Sequence, residues 1–117
     1  MMANRSKQRG TAWETAIVNC LKAKGWPFTE RRALSGNLDR GDIAGIPGVV
    51  IEAKDVKRHT LAVWLDEANI ECTNDKADVG VVWVKRPRKT DPLDGYVIMD
   101  GSTFLWLLRS AGYGGKP

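Results

Sequence analysis

Asp42, Glu52 and Lys54 are the side chains whose types and spacing point to chemistry. Glu52 and Lys54 lie two residues apart in the run Val49-Val50-Ile51-Glu52-Ala53-Lys54. Side chains alternate along an extended strand, so both point to one face. So apolar a strand must pack, and charges on a packing face are costly unless paired or bound to metal. Asp42 supplies a second carboxylate from across the Pro47-Gly48 turn. Two carboxylates with mixed oxygen ligation suit a hard divalent ion, most simply Mg²⁺. Such an ion would generate hydroxide, neutralise a phosphate and stabilise the leaving oxygen. Lys54 would orient or deprotonate the attacking water, or offset charge on the phosphorus.

The hairpin register decides whether Asp42 belongs to this set. A strict two-residue Pro47-Gly48 loop sets Asp42 opposite Ala53, on the face away from Glu52. Pro-Gly fits a type II turn better than the usual hairpin turns. A three-residue loop, or a bulge near Ala44-Gly45, swings Asp42 onto the Glu52 face. Such an irregularity is the expectation here. Glu14 has two readings. It can reciprocate a Thr11 cap, or it can reach a metal through water from the edge of the first helix's apolar stripe.

The elements that must position these residues follow from pattern. Residues 1–10 read as a basic flexible arm. Trp13, Ala16, Ile17, Cys20 and Leu21 give a helix over about 11–24, capped by Thr11 and stopped by Gly25 and Pro27. Phe28 to Leu34 reads as an edge strand. Asp42 to Ile46 and Val49 to Lys54 form a hairpin. Thr60 caps a second helix whose Leu61, Trp64, Leu65, Ala68 and Cys72 keep helical spacing. Val79 to Val84 reads as a buried central strand, returned to the sheet by that helix. Tyr96 to Met99 is its antiparallel neighbour. Phe104 to Leu108 is a short helix too apolar for one stripe, which points to burial against a partner subunit. Residues 111–117 are a loose tail, leaving 11–110 as a single domain. The order α-β-β-β-α-β-β-α gives an α/β fold with a mixed central sheet flanked by helices.

Composition bounds the function. With 117 residues the chain is one domain. No apolar run reaches membrane-span length, and no apolar segment follows the basic N-terminus to make a secretory signal. His59 is the only histidine, which excludes a His-rich zinc site; it reads as a helix-start or surface residue. Cys20 and Cys72 form no CxxC pair and read as small buried hydrophobes in a reducing compartment. Trp13, Trp64 and Trp83 read as core. There is no phosphate-loop motif and no GxGxxG, so no nucleotide cofactor is expected. Eighteen lysines and arginines face 14 acids, a net charge of +4, which favours an anionic partner. The bases cluster at Arg5, Lys7 and Arg9, at Arg31 and Arg32, at Lys54, Lys57 and Arg58, and at Lys85, Arg86, Arg88 and Lys89.

Arg32-Ala33-Leu34-Ser35-Gly36, then Asp39-Arg40-Gly41-Asp42-Ile43, then Val50-Ile51-Glu52-Ala53-Lys54, resembles the PD-(D/E)xK nuclease superfamily. Within it the chain is similar to archaeal-type Holliday junction resolvases and their bacteriophage relatives. The resemblance runs from the first helix through Val84. It implies a restriction-endonuclease-like core. It implies that Glu14 joins the site, that Ser35 donates a hydrogen bond to phosphate, and that Asp42 and Glu52 hold the metal with the Ala53 carbonyl. Lys54 matches the superfamily's lysine. Gly41 stands where the family's proline precedes the aspartate, and Asp39 is a second, lower-ranked candidate for that aspartate. The Trp64-to-Ala68 region lacks the glutamine of some relatives, so no functional residue is carried over there. The implied activity is Mg²⁺-dependent cleavage of four-way DNA junctions by paired nicks from a homodimer, with Mn²⁺ able to substitute. Alternatives are a flap, nick or duplex nuclease of the same fold and a non-catalytic DNA-binding module. Arg5, Lys7, Arg9, Arg31, Arg32, Lys57 and Arg58 are the expected phosphate contacts, read by shape rather than base. The expected location is the cytoplasm, on DNA, and the host's cytoplasm for a phage protein.

Overall fold

The computed structural model describes residues 5–32 and 40–114. The elements run α1 (Arg5–Ala23), β1 (Glu30–Arg31), β2 (Ile43–Ala44), β3 (Val49–Lys54), α2 (Leu61–Asn74), β4 (Val79–Val84), a 3-10 turn (Pro92–Asp94), β5 (Tyr96–Ile98) and α3 (Gly101–Ser110). The five strands form one sheet in chain order. Its β3–β4 pair is parallel and the others antiparallel, so the sheet is mixed and helix-flanked as expected.

Alternation along β3 and β4 sorts the core into two layers. Ile51, Val79 and Val81 pack under α1 with Trp13, Ile17, Val18 and Leu21. Val82 and Val84 pack under α2 with Trp64 and Ala68. Gly80 lets α2 lie close to the sheet. A Cβ there would stand 2.9 Å from the Ala68 carbonyl oxygen and 3.0 Å from the Cys72 Cβ.

Several boundaries differ from expectation. The helix does not wait for Thr11. It starts at Arg5, so residues 5–10 of the expected flexible arm are helical and Thr11 is interior, not a cap. Arg, Lys and Gln propagate a helix readily, and Gly10 costs only about 1 kcal/mol relative to alanine. The C-terminal stop is as read. Gly25 takes φ +117° and the Trp26 amide donates to the Leu21 carbonyl at 2.9 Å, a Schellman closure. Strands β1 and β2 are only two residues each. Thr60 precedes α2 but makes no side-chain cap. Helix α3 is longer than expected because the Asp100 carboxylate caps it, accepting from the Thr103 amide at 2.8 Å. Cys20 and Cys72 are free but half-buried rather than fully buried. Trp13 and Trp64 are core, while Trp83 is half-buried. No helix among the described residues is long and apolar enough to cross a membrane.

Candidate metal centre

The hairpin carries the expected irregularity. Ile43 pairs with Ile51, which sets Asp42 opposite Glu52 rather than Ala53. The Asp42 amide also donates to the Ile51 carbonyl at 3.0 Å. The offset arises in the connection between Ile43 and Ile51, which is odd in length, as a three-residue loop requires. Gly41 makes the approach possible. It sits at φ +93°, and a Cβ there would meet Val50 Cγ1 at 2.8 Å. The Asp42 Oδ2 then accepts from the Ala53 amide at 2.8 Å, drawing that peptide beside the carboxylates.

Glu52 and Lys54 share the sheet face covered by α2. The Lys54 ammonium lies 3.7 Å from Glu52 Oε1 and 3.3 Å from Glu67 Oε2. It also stands 5.9 Å from the centre of the Trp64 ring. Helix α2 brings two carboxylates that sequence reasoning passed over, Glu67 and Glu71. One oxygen from each of Glu52, Glu67 and Glu71 lies within 4.8 Å of the others, a spacing that could hold a metal ion. The signal for Glu71 was present: it falls seven residues after Trp64 and three after Ala68, on the helix stripe that packs. Four residues separate Glu67 from Glu71, so both occupy neighbouring turns of one face.

The electrostatics are those of a crowded acidic site. The Lys54 ammonium feels Glu52, Glu67 and Asp42, while Glu71 lies against Glu52. Glu52 is 8% exposed, and its Oε2 is buried without a hydrogen-bond partner. Burial, then contact with Glu71 and the charge of Asp42, push its carboxyl up to about 10. Lys54 at 3.7 Å is too little to reverse this. Burial works against the Lys54 ammonium, but Glu52 and then Glu67 outweigh it and hold the amine in its charged form. Glu14 is raised by burial and by Asp42, against the opposing pull of Arg31. An oxygen-only ligand set of this kind suits a hard cation.

Glu14 projects from within α1, so the capping-box reading fails, and it pairs with Arg31 at 3.8 Å. Arg31 also donates to the Thr11 hydroxyl at 3.4 Å. Arg32 pairs with Asp75 at 3.5 Å. Both arginines therefore already face carboxylates of the chain. Arg5, Lys7 and Arg9 are exposed on the first turns of α1, and Lys57 and Arg58 on the loop before α2. Ser35 and Asp39 lie outside the described residues. Compared with known proteins, the chain matches no family model, no curated protein and no solved structure.

Proposed function

We propose that this protein is a metal-dependent endonuclease of the PD-(D/E)xK type, with a restriction-endonuclease-like core, that resolves four-way DNA junctions. The observation that carries the reading is the buried Glu52 Oε2, with no donor and with the Asp42 and Glu71 carboxylates beside it. A divalent cation bound there would acidify a water and neutralise charge on a phosphodiester. Asp42, Glu52 and Glu71 would hold it, with Glu67 at the outer edge beside Lys54. The Ala53 carbonyl, on the strand edge whose Ala53 amide donates to Asp42, would complete the set. Lys54, held protonated by its carboxylate neighbours, would offset phosphate charge rather than remove a proton from water. The order of elements from α1 to β4 and the Asp42–Glu52–Lys54 set support the superfamily assignment.

The dimer belongs to the same reading. Phe104, Leu105 and Trp106 of α3 are 52%, 50% and 42% exposed, an apolar surface suited to a second copy.

The test is strand cleavage of a labelled four-way junction beside linear duplex and flap controls. The expected result is paired nicks at the junction with Mg²⁺, lost with chelator. Glu52→Gln should lose roughly a hundredfold or more, the several kcal/mol that a metal supplies. Undiminished cleavage by Glu52→Gln would overturn the site. Equal cutting of every duplex would remove the junction assignment. Binding without cutting in any divalent ion would favour a non-catalytic module.

A further inference from the structure

The densest run of positive charge, Lys85 to Lys89, stands apart from the acidic cluster. It follows β4 and faces the first turns of α1. Between them lies a cavity of about 360 Å³, lined by Arg9, Trp13 and Ala16 of α1 and by Asp55, Lys85 and Thr90. Asp55 directly follows Lys54, so the cavity lies at the same end of β3 as the carboxylate site but on the α1 face of the sheet.

Three features make this surface a built one. Arg31, Arg32 and Lys54 form ion pairs, whereas Arg9, Lys85, Arg86, Arg88 and Lys89 form none with the described residues; Arg9 donates only to the Ser6 hydroxyl, at 3.4 Å. The turn that carries the bases is braced. The Lys89 amide donates to the Arg86 carbonyl at 3.2 Å, and Trp83 Nε1 donates to the Pro92 carbonyl at 3.0 Å. The Arg86 guanidinium lies 5.5 Å from the Tyr96 ring centre. Finally, the floor of the cavity is apolar while its rim carries Arg9 and Lys85. That combination matches a sugar-phosphate strand, apolar at the sugar and anionic at intervals, better than a compact anion.

We propose that this groove holds one strand of the nucleic acid by its phosphates, with Arg9 and Lys85 as opposing contacts and Arg88 and Lys89 extending the track. The choice of a polynucleotide rests on the nuclease reading. A site rich in carboxylates repels a polyanion, so the cations that retain it must lie outside the site and not be neutralised by ion pairs. Asp55 on the same rim opposes binding.

The experiment measures anisotropy of a fluorescein-labelled DNA duplex and four-way junction against full-length protein. Mg²⁺ is present, and Glu52→Gln is the background so that strands stay intact. Arg9→Ala and Lys85→Ala should each weaken binding roughly three- to tenfold and each lower the salt slope by about one. Lys85→Arg should retain affinity, and Asp55→Asn should tighten binding roughly twofold. Opposite signs from two neighbouring residues separate a charge effect from misfolding. Unchanged affinity and salt slope in Arg9→Ala and Lys85→Ala would overturn the groove, as would weakening by Asp55→Asn. Equal capture of a poly-glutamate peptide, lost in the same variants, would also overturn it in favour of an acidic protein partner. Failure of the nuclease reading shows separately, as wild type that binds but never cuts.

Discussion

The two faces of the sheet are built from the same strands and do opposite things. Under α1, Trp13, Ile17, Ile43, Ile51, Val79 and Val81 make a wholly apolar layer. Under α2, Trp64, Ala68, Val82 and Val84 share their layer with Glu52, Glu71 and Lys54. Strand β3 feeds both, sending Ile51 one way and Glu52 the other. The comparison teaches that the α1 face holds the fold together, while the α2 face spends part of its burial on charges that do not help it fold. Burying a carboxylate is costly unless its charge is well compensated, and a neighbour of like charge makes it worse.

That contrast can be broken where it is strongest. Trp13 is 2% exposed and donates its indole N–H to the Trp83 carbonyl at 3.0 Å. Trp13→Ala should destabilise the protein by about 3–5 kcal/mol in denaturant unfolding. A loss below 1 kcal/mol would mean that the α1 layer is not the main core. On the other face the sign should invert. Glu71→Gln should leave the metal-free protein as stable or more so, while weakening Mg²⁺ binding at least tenfold by calorimetry, about 1.4 kcal/mol. A variant with lower stability and unchanged Mg²⁺ affinity would show that Glu71 is structural.

Acidity sharpens the same point. Glu52 binds its proton more tightly folded than unfolded, with its value raised from 4.5 to about 10. The folded state then carries more protons than the unfolded chain across that window. Stability from this group is complete below 4.5 and declines as pH rises toward 10. Thermal melts of metal-free protein should show the midpoint falling steadily from pH 6 to pH 9, with a stability loss of at most about 1.4 kcal/mol per pH unit. Glu52→Gln should flatten the decline. The smallest effect lies outside both layers. Asp100→Ala removes the α3 cap and its contact with Asn69 and should cost about 1 kcal/mol.

What could be read from the chain depended on how locally each feature is determined. Strands β3 and β4 were legible residue by residue, because β-branched runs bounded by turn residues leave little freedom. Helix α2 was legible from its spacing to within a residue at its start. The start of α1 was not, because the basic segment carries no breaker and a helix can run on without a cap. The end of the Asp42 problem was also legible. An odd-length connection was needed to bring Asp42 to Glu52, and the seven residues between Ile43 and Ile51 supply it. Glu67 and Glu71 were not legible as site residues. A glutamate on a helix usually meets water, and only the packing of α2 on β3 buries Glu71 and brings the half-exposed Glu67 to Lys54. Asp100 as a cap was readable in Asp100-Gly101-Ser102-Thr103 but was masked by the apolar run that follows.

The missing side chain at Gly80 reaches further than the strand it sits in. Since α2 rests almost on that backbone, the helix-to-sheet gap fixes how far Glu67 and Glu71 stand from Glu52. A residue with no chemistry of its own thereby sets the bore of the ion site. A methyl group there would lift the helix and widen the ring of oxygens. Selectivity would drift from a small ion such as Mg²⁺, which demands about 2.1 Å, toward a larger one such as Ca²⁺, which accepts about 2.4 Å. On the proposed reading, the choice of ion would thus be set on the strand next to the one that carries Glu52.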